Sequence, residues 1–486
     1  MATINTNDLR IKNASNFINS LNDEERANAY LFLGRVQPWA DDNAPPPPQN
    51  NFQEFYTTYD NMVALNRVQV NDVYHMITKL KWVSGVAYDR YQHNYTIVNR
   101  SLTGASNLYD ARFYVITSTN TVYVCLDNNN NVVSTVEPQG TTTEPFYTSD
   151  GYQWLRLFNI NNDILLSRST NNLMPVKPAD GTVNTQLDGA IYTVLIDDPG
   201  LLYTVNPTGA TNNISFYYAH IEGDGNGAVA KVYIDNTAIS KIEVARSGAS
   251  YTFATLNFTA GNVYQSLADL DLGVNGLDPA GNGELRTTVI ISPPGGWGSD
   301  LNRELGGTRV GVFTNLNTPL LVQSYNCPFR QIGLLQDFEY QGINPTSLNA
   351  CFAVLVTGVR GGEQFIIGET IEQKITFEGE IERAKGTVVA YDPDEDVLRY
   401  VQSAENADTD GSVYPFGGTN VIEGLTSQLS GTPFITSATV TDMTFVDGYA
   451  DPDLTKYSGY MTYLSNISPI TRDPLQSERV SLVVAF

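Results

Sequence analysis

The feature that most constrains this chain is a rhythm. From Arg112 onward, short segments dense in Val, Tyr, Ile and Thr alternate with clusters of Asn, Gly and Asp. Phe113-Tyr-Val-Ile is followed by Thr121-Val-Tyr-Val-Cys-Leu and then by the polar stretch 127–131. β-Branched and aromatic side chains pack well on a pleated surface, and Gly, Asn and Asp accept the backbone angles of tight turns, so the texture reads strand, turn, strand. It recurs at Ala190-Ile-Tyr-Thr-Val-Leu-Ile, Ile214-Ser-Phe-Tyr-Tyr, Thr287-Thr-Val-Ile-Ile and Val310-Gly-Val-Phe. The expected fold class is mainly β with a minor α component: a layered β-sandwich core, a few short helices in loops, and two small inserted β modules.

The exceptions to the rhythm are few. Ala14, Phe17, Ile18 and Leu21 fall at the three-and-four spacing of an amphipathic helix, with Asn13 as its cap. Residues 71–77 predict a second short helix, and Tyr30-Leu-Phe-Leu a buried strand. Pro45 to Pro48 impose an extended loop. Two glycine-punctuated series look like added modules. One runs from Gly225 through Ile239 to Tyr251, the other from Phe365 through Gly386 to Val401. The expected organisation is a discontinuous core of 1–205, 300–350 and 450–486, with modules at 206–299 and 351–449.

Composition narrows the function. The 28 Lys and Arg against 52 Asp and Glu give a net charge of −24, which repels phosphate backbones and anionic lipid surfaces, so neither nucleic acid nor membrane is an expected partner. The first residues lack the basic start and apolar run of a secretory signal, and no stretch stays apolar long enough to span a bilayer, so a cytosolic origin is expected. On that reading the sequons at Asn94, Asn213 and Asn257 carry no glycan. Cys125, Cys327 and Cys351 are odd in number and scattered, which favours buried thiols over a disulfide framework or zinc site.

Side chains that carry chemistry are scarce. Only 3 His are present, at 75, 93 and 220, with no Gly-x-Ser-x-Gly elbow beside them, and His75 is read as a packed or hydrogen-bonded ring. The acids of 392–396 resemble a calcium loop in part, but Val397 stands where the turn glycine belongs and Ser403 where the bidentate acid belongs, so a solvated turn is expected. Gly223-Asp-Gly-Asn-Gly lacks the helix that a dinucleotide site needs after it and reads as a β-turn. No catalytic residue, metal, cofactor or small-molecule substrate is assigned. Trp39, Trp82 and Trp154 are expected in or near the core, whereas Trp297, within Pro293-Pro-Gly-Gly-Trp-Gly-Ser, lies in a loop and is an interface candidate.

A set of blocks in fixed order carries a resemblance. Leu33-Gly-Arg-Val-Gln-Pro-Trp39 precedes the Ala44-Pro-Pro loop, Asp72-Val-Tyr-His-Met76 and Val122-Tyr-Val-Cys-Leu126. Asp150-Gly-Tyr-Gln-Trp-Leu-Arg-Leu-Phe158, Phe329-Arg-Gln-Ile332, Ser458-Gly-Tyr-Met-Thr-Tyr463, Asn466-Ile-Ser-Pro-Ile470 and the closing segment 478–486 follow. Together they resemble the dimeric baseplate wedge protein of T-even-like contractile-tailed bacteriophages, in a cyanophage-type version with β modules added. The resemblance covers about 10–205, 300–350 and 450–486. It implies a non-enzymatic virion component, a homodimer in each wedge, contacts with other wedge and peripheral tail proteins, and location in the tail baseplate after assembly in the host cytoplasm. Family-motif or interface candidates are Arg35, Pro38, Trp39, Tyr152, Trp154, Trp297 and Arg330. The alternatives are a tailspike-like glycan-binding or glycan-depolymerising β protein, which would need two carboxylates flanking a cleft or an aromatic platform, and a secreted β adhesin.

Overall fold

The computed structural model describes residues 4–22, 29–176, 187–204, 215–282, 284–315, 327–341, 345–360, 363–440, 443–469 and 479–486. Strands make up 40% of it and helices 11%, so the protein is mainly β. It divides into two compact units, one of Met1–Ala14, Tyr74–Arg309 and Ala485–Phe486, the other of Ser15–Val73 and Val310–Val484. Residues 206–299 fall inside the first and 351–449 inside the second. The sequon at Asn213, and Ile214, Ile470 and Glu478 of the quoted segments, lie outside the described residues.

In the first unit an antiparallel sheet orders Tyr114–Ile116, Thr121–Asp127, Gln153–Asn159 and Phe146–Tyr147. Successive side chains of a strand point to opposite faces. Val122, Val124 and Leu126 therefore enter one apolar cluster with Phe113, Leu155 and Trp297. Tyr123 and Cys125 enter another, with Tyr88, Tyr152 and Trp154. Both faces of this sheet are thus covered, and that is why the strand reads as an unbroken apolar run. Each fully buried large side chain contributes about 1.5–3 kcal/mol relative to exposure. Alongside, Ile191–Asp198 pairs with Arg286–Ile291, and Phe216–Gly223 is flanked by Asn226–Asp235 and Ala254–Leu256. These strands share one core, in which Ile191, Val194 and Tyr203 pack with Tyr217, Ala230 and Val263.

In the second unit a five-stranded antiparallel sheet orders Ser347–Asn349, Met62–Arg67, Tyr30–Gly34, Gln331–Gln336 and Tyr460–Asn466. Further along, Val397–Val401, Glu380–Asp392, Thr370–Phe377, Ile422–Gly424, Ser430–Pro433 and Phe352–Thr357 follow one another. Val397–Val401 also pairs with Phe352–Thr357, which closes this sheet into a six-stranded barrel. Closure removes the unpaired edges of an open sheet. Val354, Val356, Ile371, Val388, Leu398 and Ile422 form the apolar cluster of these strands.

Two hairpins turn on two residues with positive φ at both, the mirror-image geometry whose twist matches that of the flanking strands. Glu378 and Gly379 stand at 51° and 94°, and Asn236 and Thr237 at 47° and 65°. The turn at Asp224 and Gly225, between Phe216–Gly223 and Asn226–Asp235, falls where the glycine-rich segment predicts one. The acidic segment is a turn as well: one Asp392 carboxylate oxygen accepts the backbone N–H groups of Asp394 (3.0 Å) and Glu395 (3.3 Å).

Two helix expectations are corrected. Residues 71–77 are not a helix: one 3-10 turn, Val70–Asp72, leads into the strand Val73–Thr78, whose end pairs with Leu173–Pro175. Val73, Tyr74, Met76 and Ile77 are all buried. β-Branched and aromatic residues covered on both faces favour strand over helix. The first helix runs Asn7–Asn22, so Asn13 is an exposed interior residue and not its cap, although Ile11, Ala14 and Leu21 form the buried stripe. At its start the Thr6 hydroxyl accepts the Leu9 N–H at 3.2 Å.

Candidate functional site

The candidate residues separate into three places. Arg35, Pro38, Trp39 and Arg330 meet at one corner of the second unit, whereas Tyr152 with Trp154, and Trp297, lie in two different cores of the first.

The corner begins where Tyr30–Gly34 ends. Arg35 takes a left-handed φ of 56° and turns the chain out of the sheet. The Arg330 N–H, arriving on the neighbouring strand segment, donates to both the Gly34 and Arg35 carbonyls at 3.0 Å. Beyond the turn, Asp42 faces back. Its carboxylate accepts Nε and an Nη of Arg330 at 2.8 and 2.7 Å, and also the Trp39 backbone N–H at 2.8 Å. The second Nη of Arg330 donates to the Val36 carbonyl at 2.5 Å. A planar guanidinium matches a carboxylate in this forked manner, which fixes direction as well as distance. The Arg330 guanidinium holds the Asp42 carboxyl down at about 2. Arg330 is buried, so its remaining donor would be costly without the carbonyl.

A second cation seals the outside. The Arg35 guanidinium lies 4.0 Å from the Trp39 ring centroid and 3.0 Å from a Glu405 carboxylate oxygen. Cation–π contact of this kind is worth about 0.5–1 kcal/mol at exposed sites. A third segment closes the corner: the Ile467 N–H donates to the Arg330 carbonyl at 2.9 Å, the Ile467 carbonyl accepts Trp39 Nε1 at 3.3 Å, and Asn466 Nδ2 donates to the Pro46 carbonyl at 2.9 Å. Blocks around residues 35, 330 and 467 are thereby tied together. Pro38 is exposed and Trp39 half-buried, so the corner presents a proline and an indole edge to the outside. Gln37 also donates to the Thr387 hydroxyl. Each of its cations is paired with a carboxylate, which fixes the shape of the corner, and Arg35 Nε is a buried donor with no hydrogen-bond partner among the described residues.

The aromatic candidates act differently. Tyr152 and Trp154 stack at 5.4 Å and 17°, with Tyr88 edge-on at 6.0 Å, and Tyr152 donates to the Val132 carbonyl. Trp297 corrects the expectation of a loop aromatic at an interface: it is fully buried, 4.6 Å from Tyr91 at 73°. Gly295, Gly296 and Gly298 all have φ between 80° and 88°, angles that let the loop fold inward over its own tryptophan. Glu304 anchors that loop, accepting the Gly298 and Asp300 N–H groups at 2.8 and 2.9 Å, while burial pushes its carboxyl up. Trp82, expected near the core, is partly buried against the Tyr152–Trp154 cluster.

The other chemistry-bearing groups are spread apart. His75 Nδ1 lies 3.0 Å from the Gly307 carbonyl, a hydrogen-bonded ring lowered by burial. His93 Nδ1 accepts the Ile291 N–H at 3.3 Å, and His220 sits edge-on to Tyr264. Cys125, Cys327 and Cys351 are buried thiols, and burial pushes Cys125 and Cys351 up. Among the described residues no three His, Cys, Asp or Glu side chains gather as metal ligands would. The convergence of Asp42 and Glu405 on the corner was missed from sequence. Asp42 had a signal, an acid just beyond a Pro-Trp turn; Glu405 had none, lying 370 residues from Arg35. No protein-family model matches the chain, and no curated protein matches it.

Proposed function

We propose that this protein is a structural component of a virion: a baseplate wedge subunit of a contractile phage tail that connects neighbouring wedge proteins and relays baseplate rearrangement during contraction. The observation that carries the reading is the ordered series of sequence blocks, three of which come together at the Arg330–Asp42 corner. A corner whose charges are internally spent suits a part that transmits load rather than transforms a ligand. In this reading the chain forms a homodimer, assembles in the host cytoplasm and resides in the tail baseplate. It biases contraction through contacts that differ in energy between the two baseplate states, the only way a bound part shifts such an equilibrium.

The test is mass spectrometry of purified contractile tails from the phage that encodes the chain, with immunogold labelling to place it. Recovery of the polypeptide at stoichiometric levels, with gold at the baseplate, is expected. Particles whose baseplates lack it overturn the reading.

A further inference from the structure

The first unit holds a polar cleft of about 450 Å³ that the wedge reading does not use. That size falls within the range of about 300–1,000 Å³ common for small-molecule sites. Arg90, Gln92, Asn99, Arg100, Asn131 and Asp197 are among its lining residues.

The hydrogen-bond inventory of these side chains is uneven. Arg100 is partly spent, donating Nε and one Nη to the Ile97 and Gly104 carbonyls at 3.1 and 3.2 Å, which ties its side chain to the loop. Asp197 is partly spent, accepting the Thr288 hydroxyl at 2.7 Å. Arg90, a half-buried residue, is not: among the described residues its guanidinium makes no hydrogen bond and no ion pair. The carboxylate next to it in sequence, Asp89, is buried and taken up by the Thr103 N–H, the Thr103 hydroxyl and the Arg112 N–H at 2.9, 2.6 and 2.7 Å. Asp127 lies within electrostatic reach of Arg90 but is not paired with it. A guanidinium in a cleft with no hydrogen-bond partner is a standing attraction for an anion.

The amides add donors and acceptors to this cation. Asn131 accepts from Asn128 Nδ2 at 2.9 Å through Oδ1, which leaves its own NH2 group undonated. Gln92 and Asn99 use their NH2 groups on Asn94, which leaves their carbonyl oxygens unused. The cleft therefore offers unspent donors and unspent acceptors beside the Arg90 guanidinium, with the partly used Arg100 also in its lining. Hydroxyl groups both give and receive hydrogen bonds, so they use both kinds of amide. An inorganic phosphate would meet the acceptor oxygens as repulsion. Asn129, Asn130 and Asn131 carry φ values of 48°, 54° and 67°, a left-handed run that L-residues normally enter singly, and it fixes Asn131 at the cleft.

We propose that this cleft binds an acidic sugar residue, with its carboxylate on Arg90 and its hydroxyls on Gln92, Asn99 and Asn131. The site is separate from the corner at Arg330, and its existence does not depend on the virion reading.

Saturation-transfer NMR and titration of the full chain with digalacturonic acid, and with its methyl ester, provide the test. The ester keeps every hydroxyl and removes the charge. Wild type is expected to bind the acid about tenfold more tightly than the ester, the scale of one charge-assisted contact. Arg90→Gln should abolish that preference by weakening the acid more than the ester, to the point where the two bind alike. Asn131→Asp, which retains an acceptor for Asn128 and a side chain that tolerates the left-handed backbone but loses the NH2 donor, should weaken both ligands and the acid more than the ester. Absence of saturation transfer from wild type to the acid at about 10 mM overturns the proposal. So does equal binding of acid and ester, an acid preference that survives Arg90→Gln, or equal weakening of both ligands by Asn131→Asp.

Discussion

Asp42 and Arg330 show how one pair of residues makes a distant contact specific. The carboxyl titrates near 2 in the folded protein, below its ordinary value of about 4. A group depressed on folding contributes stability that is present above its unfolded value and is lost as pH falls through the folded one. Urea midpoints should therefore fall between about pH 4 and pH 2 more steeply in wild type than in Arg330→Gln, a variant that should be less stable at pH 7 and lose this part of the slope. Parallel slopes would contradict the assignment. Trp297 makes the complementary case at a site with no charge. Truncation to Ala should cost about 3–5 kcal/mol in chemical denaturation, because it opens a cavity between Tyr91 and the Thr121–Asp127 sheet. Trp297→Phe should cost less than Trp297→Ala, since it keeps most of the ring volume and Nε1 of this buried indole has no hydrogen-bond partner among the described residues to lose. The sequence showed an aromatic in a glycine-rich loop but not its destination, because glycines permit the chain to turn either way and only the packing against Tyr91 decides.

At the level of elements, periodicity carried what was legible. Tyr30–Gly34 and Thr121–Asp127 were readable as buried strands because each is an unbroken apolar run of strand length, and each proves covered on both faces. Residues 71–77 misled for the opposite reason: a cap-like Asn-Asp start suggested a helix, and the pairing of Met76 and Ile77 with Pro175 and Met174 outweighed that local cue. Closure of the six-stranded barrel was not legible, since the pairing of Phe352–Thr357 with Val397–Val401 leaves no local mark. Turn chemistry gives a direct test. Thr237 is exposed and β-branched, yet stands at φ 65° in a two-residue hairpin turn where Asn-Gly is the favoured pair. Thr237→Gly should stabilise the protein by about 1 kcal/mol in thermal or chemical melts. A destabilised variant would mean that the Thr237 side chain contributes more than the backbone strain costs.

For the whole molecule, the proposed wedge role requires self-association that a net charge of −24 works against, so dry, well-matched contact must outweigh repulsion. Light scattering at micromolar protein should give twice the 53.4 kDa chain mass, more firmly at high salt, where like charges are screened. A monomer at every ionic strength would contradict the dimer. Most of the Arg330 corner was present in the sequence as separate blocks, but the fact that they touch was not, because residues 35, 330 and 467 are joined only by long-range pairing. The polar cleft had no sequence signal beyond an Asn-rich turn. The two units also differ in a way that makes each one observable alone: Cys125 is sealed in one and Cys351 in the other. A maleimide applied to intact protein should leave both untouched. On warming, capture of either sulfur would time-stamp the opening of its own half, so peptide mapping of the adducts would order the two excursions within a single polypeptide.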